Sequence, residues 1–375
     1  MSFFRKAGES VVPCKAFFLS RAGLFILVYL FLVFFPAQKG RQYWHAFHHN
    51  RFLDGWARFD AGWYGRIARF GYKNITVGHG QDTNFFPLYP IAVRGLARVL
   101  GNVFLAGIVV SNLCFLLALI GLYHLARKRA GPDVARRCVY LLAFNPFSFY
   151  FSAVYTEALF LFFVIYAFFF CERRRYLLAG LLAAGAGATR NIGVFTSVGL
   201  GLLALEQARQ DGKGLKPGMA WIFLGLGGSL SYMAFLWVRF GDPLLFLHAQ
   251  KAWGSFNPSE LLRYTFRTLR YASPMKWGYP LFFIFHVLLG LAAVFLVVKE
   301  WRFLGVSYTL FSLLLILPAF LRFTSLGRYL IVVFPLFVAL GKVTGAKRTY
   351  LVVLSLESAL LVIFTFMFSH WYWVA

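Results

Sequence analysis

Thirteen acids are spread over the 375 residues, and their positions separate the ones able to do chemistry from the rest. Glu9, Asp133, Glu172, Glu206, Asp211 and Glu300 lie among basic connections and need no special role, and Glu357 falls in the last apolar stretch. Asp54, Asp60, Asp82, Glu157, Asp242 and Glu260 remain. Asp60 stands out, within RFDAGWYGRIARFGY (58–72). On a helix, Phe59, Trp63, Ile67 and Phe70 share one stripe and Arg58 and Arg69 another. Asp60 falls at the edge of the apolar stripe. A carboxylate there sheds hydration and becomes a better proton acceptor, the property of a general base. Its plainer role is a salt bridge to Arg58 or Arg66, or a helix cap. Asp82 is the second candidate base, or else a cap for a helix starting at Thr83 or Asn84.

Three cationic points accompany these acids. Arg190 sits between two apolar stretches, Arg328 follows Arg322 in RFTSLGRY, and Lys251 lies between Gln250 and Trp253 in HAQKAWGSF. A buried arginine needs an anion, and a lipid phosphate would serve all three points, as would ordinary headgroups. NPFSFYFSAVYTEALF (145–160) brings Tyr155 and Glu157 into a hydrophobic region, where polar groups face a cavity or a partner helix. His45, His48 and His49 with Asp54 resemble a metal cluster only loosely, and headgroup contact is the stronger reading. No Ser-His-Asp pattern, phosphate-binding loop or dinucleotide fingerprint is present.

These residues need elements to position them. The chain is 60% hydrophobic and 14% charged, with mean hydropathy +0.68. Ordinary soluble domains are about a quarter charged, so a cytosolic protein is excluded. Apolar runs of spanning length recur, and in lipid they must be helices. The net charge of +25 fits anionic lipid and basic loops rather than nucleic acid, for which no motif exists. Cys14, Cys114, Cys138 and Cys171 show no metal spacing and read as free thiols.

The pattern predicts an all-α polytopic membrane protein, a single transmembrane domain over 1–375. Eleven helices are expected, over 22–37, 102–126, 138–155, 157–171, 176–189, 191–205, 219–238, 280–298, 303–320, 329–342 and 349–369. Two long outer segments, 38–101 and 239–279, separate them. The first holds interfacial helices at 58–72 and 85–101. No strand pattern or internal repeat is visible. Short connections carrying Arg127, Lys128, Arg129, Arg136, Arg137 and Arg173 to Arg175 place the N-terminus in the cytoplasm and the polar mass outside, with Arg21 counted among the cytoplasmic charges.

Taken in order, RFDAGWYGRIARFGY, FFPLYP, NPFSFYFSAVYTEALF, ATRNIG and SLGRYLIVVFPLF resemble PIG-V-type mannosyltransferases and their bacterial relatives over about residues 15–345. The resemblance implies a GT-C-like fold, an active site at the outer membrane face, and a polyprenyl- or dolichyl-phosphate sugar as donor, typically mannose. It implies an inverting transfer to a lipid-linked, glycan or protein acceptor. It assigns the base to Asp60, where Phe59 replaces the family's usual Trp. Arg190 is followed by Asn-Ile-Gly rather than Ser-Asn-Gly. Asp82 is the further catalytic candidate. Arg58, Tyr155, Glu157, Arg190, Gln250, Lys251, Trp253 and Arg328 are the substrate-binding candidates. Single-phosphate donors do not demand a metal, so neither metal nor cofactor is expected. The chain's size favours a bacterial or archaeal source, with the plasma membrane as its location if bacterial. The rival class is a transporter or flippase for a lipid-linked sugar, but the acids gather at one face and no repeat is seen.

The charge pattern sets a test of topology. Cysteines placed at Gly40 and Gly80 should react with an impermeant thiol reagent in intact cells, and cysteines at Gly131 and Gly212 should not. Labelling of the second pair alone would invert the orientation.

Overall fold

The computed structural model describes residues 2–37, 44–47, 49–77, 80–212, 214, 216–251, 263, 267, 278–320 and 325–374, with side chains from residue 11. Helices dominate. The first are α1 (Ser2–Phe34), the short α2 (Arg51–Asp54), α3 (Ala61–Phe70) and α4 (Leu88–Leu100). The series continues with α5 (Val103–Ala143), α6 (Glu157–Cys171), α7 (Tyr176–Thr189), α8 (Val194–Gln210), α9 (Gly227–Phe240) and α10 (Leu245–Lys251). It closes with α11 (Gly278–Lys299), α12 (Trp301–Leu304), α13 (Val306–Ala319), α14 (Leu326–Leu330), α15 (Phe334–Val343) and α16 (Lys347–Ser369). Among the described residues five stretches are long and apolar enough to cross a membrane: Val11–Phe34, Val103–Ala143, Pro217–Phe240, Pro280–Lys299 and Lys347–Ser369. The protein is therefore an integral membrane protein. Contrary to the sequence reading, the described residues include one strand pair, the two-residue β1 (Thr76–Val77) and β2 (Gly80–Gln81), antiparallel.

The amphipathic segments form as expected. In α3 the residues Tyr64, Ile67 and Ala68 are buried, and in α4 Tyr89 and Val93 are. Both pack over α5, with Tyr89 giving its hydroxyl hydrogen to the Gly107 carbonyl at 3.1 Å. Helix α5 is two helices in one, because Gly131 adopts φ 84° ahead of Pro132. Its second half stops at Ala143, twelve residues short of the expected end at 155. Residues 144–156 form turns and a single 3-10 turn, Ser148–Phe151.

Arg21 accounts for that early stop. Rather than sitting among basic residues at the helix start, it is buried inside α1. Its Nη2 donates to the Ala143 carbonyl at 2.9 Å and to Ser148 Oγ at 2.7 Å, and its Nη1 donates to the Ser148 carbonyl at 2.8 Å. A guanidinium placed on the last carbonyls of a helix satisfies acceptors that the helix cannot. Its face lies over Phe115 at 4.9 Å. The serines of the 145–160 motif are thus the counterparts of an arginine more than a hundred residues away.

Two helices are also short. α6 has 15 residues and α7 has 14, about 22 and 21 Å at 1.5 Å per residue. Both leave the arginine-rich turn 172–175, so Glu157 and Arg190 end up at a similar height above it. A hydrocarbon core is about 30 Å thick, so both residues stop short of the far surface.

Small residues let α7 approach its neighbours. A Cβ on Gly180 would collide with the Trp221 carbonyl oxygen, whereas a Cβ on Gly95 in α4 would meet nothing within 4 Å. Gly180→Ala should therefore lower the melting temperature in detergent by several degrees, since overpacking costs about 1–3 kcal/mol. Gly95→Ala should leave it unchanged or raise it slightly.

Candidate active site

Four charged side chains converge where the short helices end. Glu157, the first residue of α6, is fully buried. Its Oε1 accepts hydrogen bonds from both Arg190 Nη1 and Arg328 Nε. Arg190 follows the last residue of α7 and also donates to Thr156 Oγ1 at 3.0 Å. Arg328, on α14, turns its Nη1 to Asp60 Oδ2 at 2.7 Å. Two carboxylates and two guanidiniums make a neutral set. Charges out of water need this pairing, since an isolated one is costly to bury. The arginine faces are covered by aromatic rings. Arg328 lies over Tyr155 and Tyr150 at 4.6 and 5.4 Å, and Arg190 over Tyr329 at 5.2 Å.

The set is not closed. Arg190 Nε and Nη2 and Arg328 Nη2 have no acceptor among the described residues, and neither does Asp60 Oδ1 have a donor. Such groups offer hydrogen bonds to an anion and a basic oxygen to a hydroxyl.

Asp60 stands at the N-terminus of α3, and its side chain caps nothing there. Tyr155 fixes its backbone, accepting from the Asp60 N–H at 3.3 Å and donating to the Arg58 carbonyl at 3.1 Å. Sequence had offered Arg58 or Arg66 as the ionic partner of Asp60. The partner is Arg328, 268 positions away. Arg58 turns elsewhere. Its Nη2 meets Asp54 Oδ2 at 2.9 Å, and its Nε donates to the Ser369 carbonyl at 3.0 Å. Burial pushes the Asp54 pKa up. The Arg58 charge and hydrogen bonds from Arg58, His45 and the Phe47 N–H outweigh it and hold the group below the usual aspartate range. His45 Nδ1 lies 2.9 Å from Asp54, so that histidine serves an ion pair.

Asp82 occupies another place. Its Oδ2 accepts from the Lys73 N–H at 2.8 Å and its Oδ1 from the Ile75 N–H at 3.2 Å. It tethers the preceding loop rather than capping Thr83 or Asn84. Gln250 and Lys251 lie on α10, which packs on the Asp82 turn, but their side chains and all of Trp253 lie outside the described residues. Sequence reasoning missed Tyr64 and Tyr150. Tyr64 reaches Thr156 Oγ1 at 3.4 Å, and Tyr150 stacks under Arg328. Neither carries a signal beyond being aromatic in an aromatic-rich chain.

A groove of about 760 Å³ opens beside this cluster, lined by Ile67, Leu88, Ala188, Gly228, Tyr232 and Phe235 among others, with Arg94 and Arg239 on its wall. It runs between α3 and α4 on one side and α7 and α9 on the other. The four charged residues do not line it. Ile67 lies two helical turns beyond Asp60, about 10 Å along α3.

Residues 40–210 match the family model described as Mannosyltransferase (PIG-V). The match spans 171 of the 375 residues and shows that this part of the chain is similar to the PIG-V mannosyltransferases. That region contains Asp60, Tyr155, Glu157 and Arg190, while Arg328, which joins the two carboxylates, comes from beyond it. Among solved structures the chain is similar to the Archaeoglobus fulgidus oligosaccharyltransferase in its apo form. The TM-score is 0.51 at 14% identity, over 100% of this chain and 57% of that one. The same enzyme tethered to an acceptor peptide containing the NVT sequon gives 0.51 at 12% identity, over 99% and 55%. At such identities the likeness shows a shared fold alone, and the chain spans little more than half the length of that enzyme. No curated protein sequence matches.

The shared carboxylate predicts non-additive energetics. Arg328→Ala and Glu157→Gln should each destabilise the detergent-solubilised protein by about 3–5 kcal/mol, the cost of orphaning a buried partner. The double variant should lose clearly less than the sum. Arg174→Ala, at an exposed pair with Asp211, should leave the melting temperature unchanged.

Proposed function

We propose that the protein transfers a sugar, mannose by the family resemblance, from a polyprenyl- or dolichyl-phosphate donor to a lipid-linked, glycan or protein acceptor. The carrying observation is the Asp60–Arg328–Glu157–Arg190 cluster, which leaves one carboxylate oxygen of Asp60 and several guanidinium N–H groups without partners among the described residues. In this reading Asp60 Oδ1 takes the proton of the acceptor hydroxyl. The acceptor oxygen then attacks the anomeric carbon from the side opposite the phosphate. The bond between that carbon and the phosphate oxygen breaks, and the departing lipid phosphate keeps the electron pair. Arg190 and Arg328 stabilise its growing charge. One displacement inverts the anomeric centre. Glu157 serves by holding both guanidiniums, and Tyr155 by fixing the Asp60 backbone.

The groove supports the same reading. It is largely apolar, lies beside the cluster, and has Arg94 and Arg239 on its wall. An isoprenoid tail lying there would bring its phosphate to the cluster about 10 Å away. We place this site toward the non-cytoplasmic face, with the turn 172–175 in the cytoplasm. Eleven spans remain part of the proposal, with the two halves of α5 counted separately and the short α6, α7, α8, α13 and α15 counted as spans.

The test is transfer of label from a radiolabelled polyprenyl-phosphate mannose by membranes carrying the protein. Asp60→Asn should remain inserted and lose roughly 10²–10⁴-fold in turnover. Asp82→Asn should lose less than tenfold, because its carboxylate holds a loop. An active Asp60→Asn beside an inactive Asp82→Asn would move the base to Asp82. Label that changes membrane side without covalent transfer would mean a flippase.

A further inference from the structure

One backbone feature adjoins the proposed base. Phe59, immediately before Asp60, has φ 50°, in the left-handed region. A side chain beyond Cβ disfavours this conformation, and glycine is the residue that adopts it freely. Such a conformation persists where surrounding structure over-determines it. Here the surroundings come from the last turn of α16 and the segment that follows it. The Phe59 ring packs edge-on against Trp373 at 5.0 Å and Trp371 at 5.3 Å, and lies 6.0 Å from Phe368. The neighbouring Arg58 is tied to the same segment, through the Ser369 carbonyl at 3.0 Å and the Trp371 face at 4.9 Å. Trp44 adds a ring 5.8 Å from Trp371.

We infer that this aromatic clasp is a positioning device: Phe368, Trp371 and Trp373 hold Phe59 in its left-handed turn, and that turn sets the entry of α3 so that Asp60 points at Arg328. Without the turn, the chain after Arg58 would leave in another direction. The Asp60 N–H would then come off the Tyr155 hydroxyl, and its carboxylate off Arg328. The clasp joins residues more than 300 positions apart at the proposed base. Aromatic residues at a membrane boundary also anchor chains to headgroups, but anchoring does not call for a left-handed Phe59. The inference rests on the proposed role of Asp60.

The two accounts part at residue 59. If the clasp exists to hold the left-handed turn, Phe59→Gly needs no clasp and should keep kcat within about threefold of the unaltered protein. Phe59→Ala keeps the Cβ and loses the ring contacts, and its kcat should fall tenfold or more with little change in KM for polyprenyl-phosphate mannose. Trp373→Ala should behave like Phe59→Ala, Trp373→Phe should restore activity, and adding Phe59→Gly to Trp373→Ala should rescue it. Membrane-inserted protein is quantified in each case. Equal losses in Phe59→Gly and Phe59→Ala, or no loss in either, would overturn the clasp. An unaltered protein that transfers no sugar would instead overturn the enzymatic reading on which it rests.

Discussion

The shared oxygen of Glu157 is the constraint on which the site depends. Two guanidiniums brought this close would repel one another without an anion between them. Glu157 supplies that anion from a fully buried position, and uses one oxygen for both. Each arginine then has donors to spare. Asp60 completes the balance of charge through Arg328 without surrendering its second oxygen. The arrangement is neutral at rest yet can present positive N–H groups to an arriving anion.

The rest of the architecture can be understood as what places Glu157 there. Helix α6 starts at Glu157, where sequence placed it, after α5 ends early at Ala143 and a non-helical segment intervenes. That segment is tolerable inside a membrane protein only where its polar groups are satisfied. Arg21 satisfies several of them, and Ser152 Oγ bonds Asn112 at 2.8 Å. A cation in α1 therefore supports an anion at the head of α6, although the two do not touch. On the other side, the 3-10 turn at Asn191–Gly193 and the close approach of Gly193 to Ala186 reverse the chain directly after Arg190.

Much of this was legible in sequence, and the limits were physical. Periodicity found α3 and α4 because each has one apolar and one charged face. Hydropathy found the long spans for the same reason that lipid demands helices. Asp60, Glu157, Arg190 and Arg328 were each singled out, because charge in an apolar setting is conspicuous. What sequence could not supply was their pairing. Arg190 had no nearby acid in the chain, and its partner lies 33 positions earlier. Arg328 looked like a surface cation until the fold set it between two carboxylates. Arg21 was misplaced because a basic residue near the start of a first span ordinarily marks the boundary. Arg58 looked like a ligand for substrate because it neighbours Asp60, but two residues of spacing turn the side chains apart. The clasp on Phe59 was invisible, since no local pattern shows which rings from the far end of the chain will meet.

The brevity of α7 has a consequence for the surrounding bilayer. Leu177, Leu178 and Leu181 face outward from this helix, and Ala184, Gly185 and Ala188 line the groove. Lipids beside it meet a hydrophobic wall about 21 Å tall where the core is about 30 Å. Mismatch of this kind is relieved by local thinning, at fractions of a kcal/mol per ångström. Thinning of that kind beside α7 would lower the leaflet toward the groove. On the proposed reading, that thinning would bring the membrane surface toward a site sunk between the helices, so that a donor phosphate would reach the arginines while its tail stays in oil.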